Sequence, residues 1–421
     1  MFLRKVWGRI ESAAWITKSD MQIQDPREFF KELSKPSKWW LTCRFWELFV
    51  KWTWEWNVDE VVSKILSSDA RDIAYRHILA RLYWLYKKLV PKNPSSVWEV
   101  HYDIDFALYE KMLWKFLKYT APYWLDEYWE FDLDTAQMLC MEMICRWAQL
   151  SQWQKVLEVW FGYWTLANYM ISNYWVEVTG LTVSDWQRQV ANRVIDFHWS
   201  KEKARLNLMD WKKLYGTPEF EEKYRWKFDR IVTIEMIEAV STADLPLFFQ
   251  FLYDCLNDDW VLFIQAINSD RLETTTEWFI DKYIFPDWVV PQEENLIRQG
   301  ERAWFRTFSL DNSLWNPYDK ALMQWWSNLE ANQEQIKRDC NDPFKLTFPY
   351  KVENPMIKIF EYYLRSCAWW FRVWYNRDWH FVFHKSARTS AKIVIPTSWE
   401  VRQILDNKEW WDIQSAIWKA A

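Results

Sequence analysis

The sequence predicts an α/β fold in which a parallel sheet carries helices on both faces and follows a mostly helical N-terminal region. Three observations carry this reading. From Lys155 onward, short β-rich runs alternate with amphipathic helical segments, which is the rhythm of a parallel sheet whose crossovers are helices. Before that point apolar residues recur at helical spacing, over 59–89 and again over 134–150. The first β-rich run ends in a turn holding Gly162 before a helix opens at Thr165, a step that lets backbone lie close against a ligand.

Taken in order, residues 1–150 read as helical and carry no strand-turn rhythm. Residues 151–385 form the sheet domain, with strands in KVLEVW, VEVTGLTV, ARLNLMDW, FDRIVTIEMI and WVLFIQAI, and helices in TLANYMISNY, DWQRQVANRVIDF and LPLFFQFLYDCL. TTEWFIDKYIF continues as helix, FRTFSLDNS and HFVFHK are closing strands, and a helical insert spans about 318–370. Residues 386–421 read as a tail.

Charge and cysteine usage exclude several classes. With 53 basic and 58 acidic residues well mixed, there is no basic excess for a nucleic-acid backbone. The six cysteines stand alone, without a C-x-x-C pair or a histidine at metal-ligand spacing, so neither a zinc site nor a disulfide framework is expected. No stretch has the length of a signal sequence or membrane span. The expectation is a soluble cytoplasmic protein that reaches any lipid from the surface.

Glycine is scarce and tryptophan abundant, 5 against 37, where a chain of this length ordinarily holds roughly 30 glycines. Tryptophan also falls where a residue without a side chain is wanted: Trp160 and Trp164 in LEVWFGYW, Trp288 in FPDWVV, Trp369 and Trp370 in CAWWFRVW. The hypothesis is that many of these are glycine in the working protein, through UGA codons that the source reads as glycine and that were translated with a table reading them as tryptophan. Trp124, Trp147 and Trp211 are expected to be genuine.

With glycine at 160 and 164, the run Glu158-Val159-Trp160-Phe161-Gly162-Tyr163-Trp164 becomes E-x-G-x-G-x-G; read alone it is also a plain strand-to-helix connection. The next strand closes on Gly180-Leu181-Thr182-Val183-Ser184-Asp185-Trp186-Gln187, the third on Met209-Asp210-Trp211, and the fourth is FDRIVTIEMIEAV over 228–240. This last run resembles the FDRIVSIEMIEHVG of the cyclopropane-fatty-acyl-phospholipid synthase family, and HYD at 101–103, YTAPYW at 119–124 and DKYIFPD at 281–287 are similar to its other segments. The likeness spans roughly residues 100–385.

The resemblance implies a Rossmann-like class I methyltransferase sheet and S-adenosylmethionine as cofactor. Tyr119 would sit in the cofactor lid, Glu158, Trp160, Gly162 and Trp164 in the cofactor turn, Thr182 and Gln187 at the ribose, Asp210 and Trp211 at the adenine amino group, and Ile234 in the adenine pocket. Gln187 as a solvated first-turn residue and Asp210 as an ordinary strand-end aspartate remain open alternatives. The family reaction adds a methyl group to a cis double bond of an unsaturated phospholipid acyl chain at the membrane surface. The resulting carbocation needs a dry, aromatic site. Glu238 and Tyr318 would stand at the reacting centre, and a bound bicarbonate would take the proton. The family's cysteine is Ala121 here, and its two histidines are Ala239 and Gln265. Alternatives are a methyltransferase of a small amine or other small molecule and, if the loop tryptophans are real, a non-catalytic lipid-binding protein; ring, methyl branch or methylene stays open as the product.

Overall fold

The computed structural model describes residues 106–384 apart from 125–131, 199, 270–277, 312–317, 345–353 and 373–375, together with strands β1 (Met21–Ile23) and β2 (Thr53–Trp56). Most of the expected N-terminal helix and the tail from 386 lie outside the described residues. β1 and β2 pair antiparallel, where helical spacing predicts no strand. Segments of three and four residues escape a period read over 11–18 positions, and Thr53, Trp54 and Trp56 are of the types that favour extended pairing.

The main sheet has seven strands: β3 (Lys155–Val159), β4 (Glu177–Thr182), β5 (Ala204–Leu208), β6 (Phe228–Ile234), β7 (Leu256–Asn268), β8 (Arg306–Asp311) and β9 (Arg377–His384). Their order is β5-β4-β3-β6-β7-β9-β8. The first five are parallel, whereas β9 runs antiparallel between β7 and β8. The sheet is therefore mixed at one edge and not wholly parallel as expected, a difference the sequence does not show because the apolar pattern of a strand carries no sign of its direction.

Successive strand residues feed two cores. Val156, Val178, Val232 and Phe263 face the helices Leu133–Trp147, Thr165–Tyr174 and Asp185–Phe197. Leu157, Leu181, Ile231 and Leu262 face Leu245–Cys255 and Glu293–Arg302. That period of two, with both faces covered, is why the strands read as nearly continuous apolar runs. The expected insert consists of Tyr318–Ala331, Gln333–Asp339 and Pro355–Arg372, the first and last of which pack together.

Among the described residues twelve non-glycine residues have left-handed backbone, and seven are tryptophan: Trp114, Trp153, Trp160, Trp164, Trp175, Trp226 and Trp304. Trp164 stands at the entry of Thr165–Tyr174 and Trp175 at its exit, where the Trp175 N–H donates to the Ile171 carbonyl at 3.0 Å. This is the helix-ending position that glycine usually fills; a side chain there costs about 1–2 kcal/mol. Positions 288, 369 and 370 differ. Asp287, not Trp288, is the left-handed residue of its turn, and Trp369 and Trp370 lie inside the helix Pro355–Arg372.

Candidate active site

β3 lies between β4 and β6, and the strand order reverses on either side of it. In such sheets a crevice opens at the carboxyl ends of the strands at this reversal. The turn 160–164 sits there, with the Trp160 N–H donating to the Leu181 carbonyl at 2.8 Å. Trp160 forms part of the wall of two hollows. The larger is lined by Tyr119, Glu158, Gly162, Gln187, Ile234 and Tyr318, and the smaller by Thr182, Asp210 and Trp211. Most of the sequence-predicted residues thus line one or other of two hollows that share Trp160 as a wall.

Glu158, one residue before the end of β3, is 3% exposed, and its Oε2 has no hydrogen-bond partner. Burial pushes its carboxyl up to about 8, against the opposing pull of Lys118. Such an orphaned buried acceptor invites a cation or donor from a ligand. Thr182 donates from Oγ1 to Gln187 Oε1 at 2.9 Å, and Ser184 caps the following helix by accepting from the Gln187 N–H at 3.2 Å. Gln187 is buried, not a solvated first-turn residue. Asp210 accepts from the Lys212 N–H at 2.9 Å and starts a short helix; Trp211 packs edge-on against Phe248.

Trp164 does not line the cleft. It is fully buried with its indole N–H unpartnered, packed against Phe161 and into the space beside Gly180. Glu238 also lies off the lining: in the turn Ile237–Ala239 it accepts from the Ile267 N–H at 2.6 Å.

The residue that sequence reasoning missed is Glu235, which follows β6 with φ of 46°. Its N–H donates to the Gln265 carbonyl at 2.8 Å. Oε1 accepts from Thr120 Oγ1 at 2.5 Å and the Ala121 N–H at 3.1 Å, with Gln265 Nε2 at 3.5 Å. Oε2 accepts from the Tyr318 hydroxyl at 2.7 Å. Burial raises the Glu235 carboxyl above the usual carboxylate range while these donors pull it back. Burial and the facing carboxylate raise Tyr318, so the phenol keeps its proton and donates. Beyond, Gln265 Nε2 donates to Asp378 Oδ2 at 3.1 Å. His380 comes within 3.8 Å of that carboxylate, but burial holds its imidazole down at about 3; neutral at pH 7, it forms no ion pair. The available signal was a second carboxylate in the run FDRIVTIEMIEAV, three positions before Glu238.

Aromatic rings wall the side of the cleft that carries Glu235. Tyr119 donates to the Tyr363 hydroxyl at 2.8 Å and leans on Trp325. Tyr318 stacks on Phe371 with centroids 4.4 Å apart, and Phe285 completes the lining.

A seven-stranded sheet of this order, with its cleft at the β3 reversal, is the Rossmann-like fold of the class I methyltransferases. Within that class the chain belongs to the mycolic acid cyclopropane synthetase family, whose model matches residues 91–381. It is 26% identical over 387 residues to the cyclopropane-fatty-acyl-phospholipid synthase of Escherichia coli K12, covering 89% of this chain and 90% of that one. It is 28% identical over 273 residues to a sphingolipid C9-methyltransferase of Komagataella phaffii, covering 63% and 53%. Among solved structures, the cyclopropane synthase MmaA2 of Mycobacterium tuberculosis superposes with a TM-score of 0.59 at 22% identity, over 70% of this chain and all of that one. Coclaurine N-methyltransferase bound to N-methylheliamine and SAH gives 0.61 at 17%, over 78% and 95%. At these identities the superpositions speak for the fold.

Proposed function

We propose that this enzyme adds a methyl or methylene group to the double bond of an unsaturated phospholipid acyl chain at the membrane surface, with S-adenosylmethionine as donor. One observation carries the reading: an aromatic-walled cleft that ends on a buried carboxylate next to the cofactor turn. A cation forming on an acyl chain is quenched by water, and electron-rich ring faces with a shielded carboxylate answer that need. The Escherichia coli relative, named for phospholipid chemistry, matches along most of both chains, which supports a lipid acceptor. Among the described residues no helix is long and apolar enough to cross a membrane, so the acyl chain would be taken up from the surface.

The cofactor supplies an electrophilic methyl on a sulfonium. The orphaned Oε2 of Glu158 suits its cationic amino group, the Thr182–Gln187 pair its ribose, and Asp210 with Trp211 its adenine. The fit fails where Trp160 stands between the two hollows. Left-handed backbone at 160 and 164, with a buried unpartnered indole N–H at 164, supports glycine at both positions in the working protein. The test compares the chain bearing Trp160 and Trp164 with its Trp160→Gly, Trp164→Gly form by calorimetry and by incubation with labelled cofactor and vesicles of unsaturated phospholipid. The double substitution should bind cofactor far more tightly and label lipid. Equal affinity would end the steric reading, and labelling of a small amine with lipid untouched would replace the acceptor.

A further inference from the structure

Family resemblance places a bicarbonate at the reacting centre, held by side chains that this chain has exchanged for Ala121, Ala239 and Gln265. The described site does not fit that ion. The Thr120 hydroxyl, the Ala121 N–H and the Tyr318 hydroxyl, which could hold an anion's oxygens, all donate to Glu235. A second anion would lie against a buried carboxylate, and like charges at close range in a dry site repel strongly.

We propose that Glu235 itself is the proton acceptor of the reaction and fills the place of an external bicarbonate; this rests on the methyl-transfer reading above. Three observations converge on it. The carboxylate lines the cleft among the aromatic rings, whereas Glu238 lies off that lining, with Oε1 accepting from the Ile267 N–H. Its backbone is left-handed, a costly state for a glutamate that persists only where surroundings over-determine it, and here both oxygens are anchored by donors from three separate segments. Gln265 brings a neutral amide to the same oxygen and ties it to Asp378, so nothing at that position supplies a charge to hold a free ion.

The step balances. The alkene π pair forms the bond to the incoming methyl while the C–S pair stays on sulfur, and the neighbouring carbon becomes electron-deficient. Glu235 then removes a proton with a lone pair of Oε2. The released C–H pair closes the ring if the proton comes from the new methyl, or forms a double bond if it comes from an adjacent carbon. The carboxylate ends as a neutral acid and the product carries no charge. Tyr318 keeps its own proton and holds Oε2 in place, since a carboxylate oxygen has a second lone pair to spare.

The experiment uses the Trp160→Gly, Trp164→Gly protein as parent. Carbon-13 bicarbonate is titrated by NMR into the parent, into Glu235→Gln and into Glu235→Gly, with cofactor affinity measured by calorimetry as a check on folding. Glu235→Gly empties the donors, so it alone should bind bicarbonate, and added bicarbonate should restore part of its lipid methylation. Glu235→Gln should lose turnover on the order of 10²–10⁴-fold with cofactor affinity little changed. Bicarbonate binding to the parent, or undiminished turnover in Glu235→Gln, would overturn the inference. The binding contrast needs no substrate, so it stands apart from the lipid reading: a parent that leaves lipid unmethylated sinks that reading alone.

Discussion

At position 304 glycine should make a more stable protein than alanine, the reverse of the order expected in a helix. Trp304 has φ of 69° and closes the turn after Glu293–Arg302, its N–H donating to the Glu301 carbonyl at 3.1 Å. The side chain is 77% exposed, and both replacements discard the indole, so lost burial cancels between them. What remains is backbone. Alanine keeps the left-handed penalty of about 1–2 kcal/mol, and glycine gives back roughly 0.5–1 kcal/mol in chain entropy. The difference favours Trp304→Gly over Trp304→Ala by about 1 kcal/mol, or roughly 2–4 °C in Tm for a domain of this size. Asn192, exposed within the helix Asp185–Phe197, is the control, where Asn192→Ala should exceed Asn192→Gly by roughly 1 kcal/mol. Thermal and urea unfolding of the four variants measures both differences. If Trp304→Ala equals or exceeds Trp304→Gly, the left-handed tryptophans carry no strain that glycine relieves, and the case for glycine at these positions loses its physical basis.

In Tyr318→Phe, Glu235 loses a donor that lowers its pKa, so in the glycine-restored enzyme the acid limb of the pH-rate profile should move to higher pH; an unmoved limb would separate Tyr318 from the base. The Glu158 carboxyl, raised to about 8, is mostly neutral at pH 6, so affinity for a cationic cofactor should rise with pH through that range. Glu158→Gln should flatten the rise in calorimetric titrations, and a rise that survives the substitution would remove Glu158 from cofactor binding. Glu238→Gln keeps an oxygen for the Ile267 N–H, so turnover should fall far less than in Glu235→Gln; equal losses in a kinetic comparison would return Glu238 to the reacting centre.

The alternation from Lys155 onward was legible in the sequence alone, because strands covered on both faces leave short apolar runs and their crossover helices leave an amphipathic period between them. The turn over 160–164 and the strand-end places of Thr182, Gln187 and Asp210 were legible too, since these depend on short stretches of chain. The strain at Trp160 and Trp164 was legible for the same local reason: a turn's need for a residue without Cβ can be read from its place between strand and helix. Strand direction at the mixed edge was not legible, as the pattern of HFVFH is the same for β9 in either sense. That Glu235 lines the cleft and Glu238 does not was set only by tertiary structure. Both lie in one run three positions apart, and nothing local distinguishes them. Glu235 faces the cleft because its oxygens are claimed by Thr120 and Tyr318, 115 and 83 positions away, while Glu238 is claimed by the backbone of β7. Which carboxylate lines the cleft depends on contacts that only folding brings together.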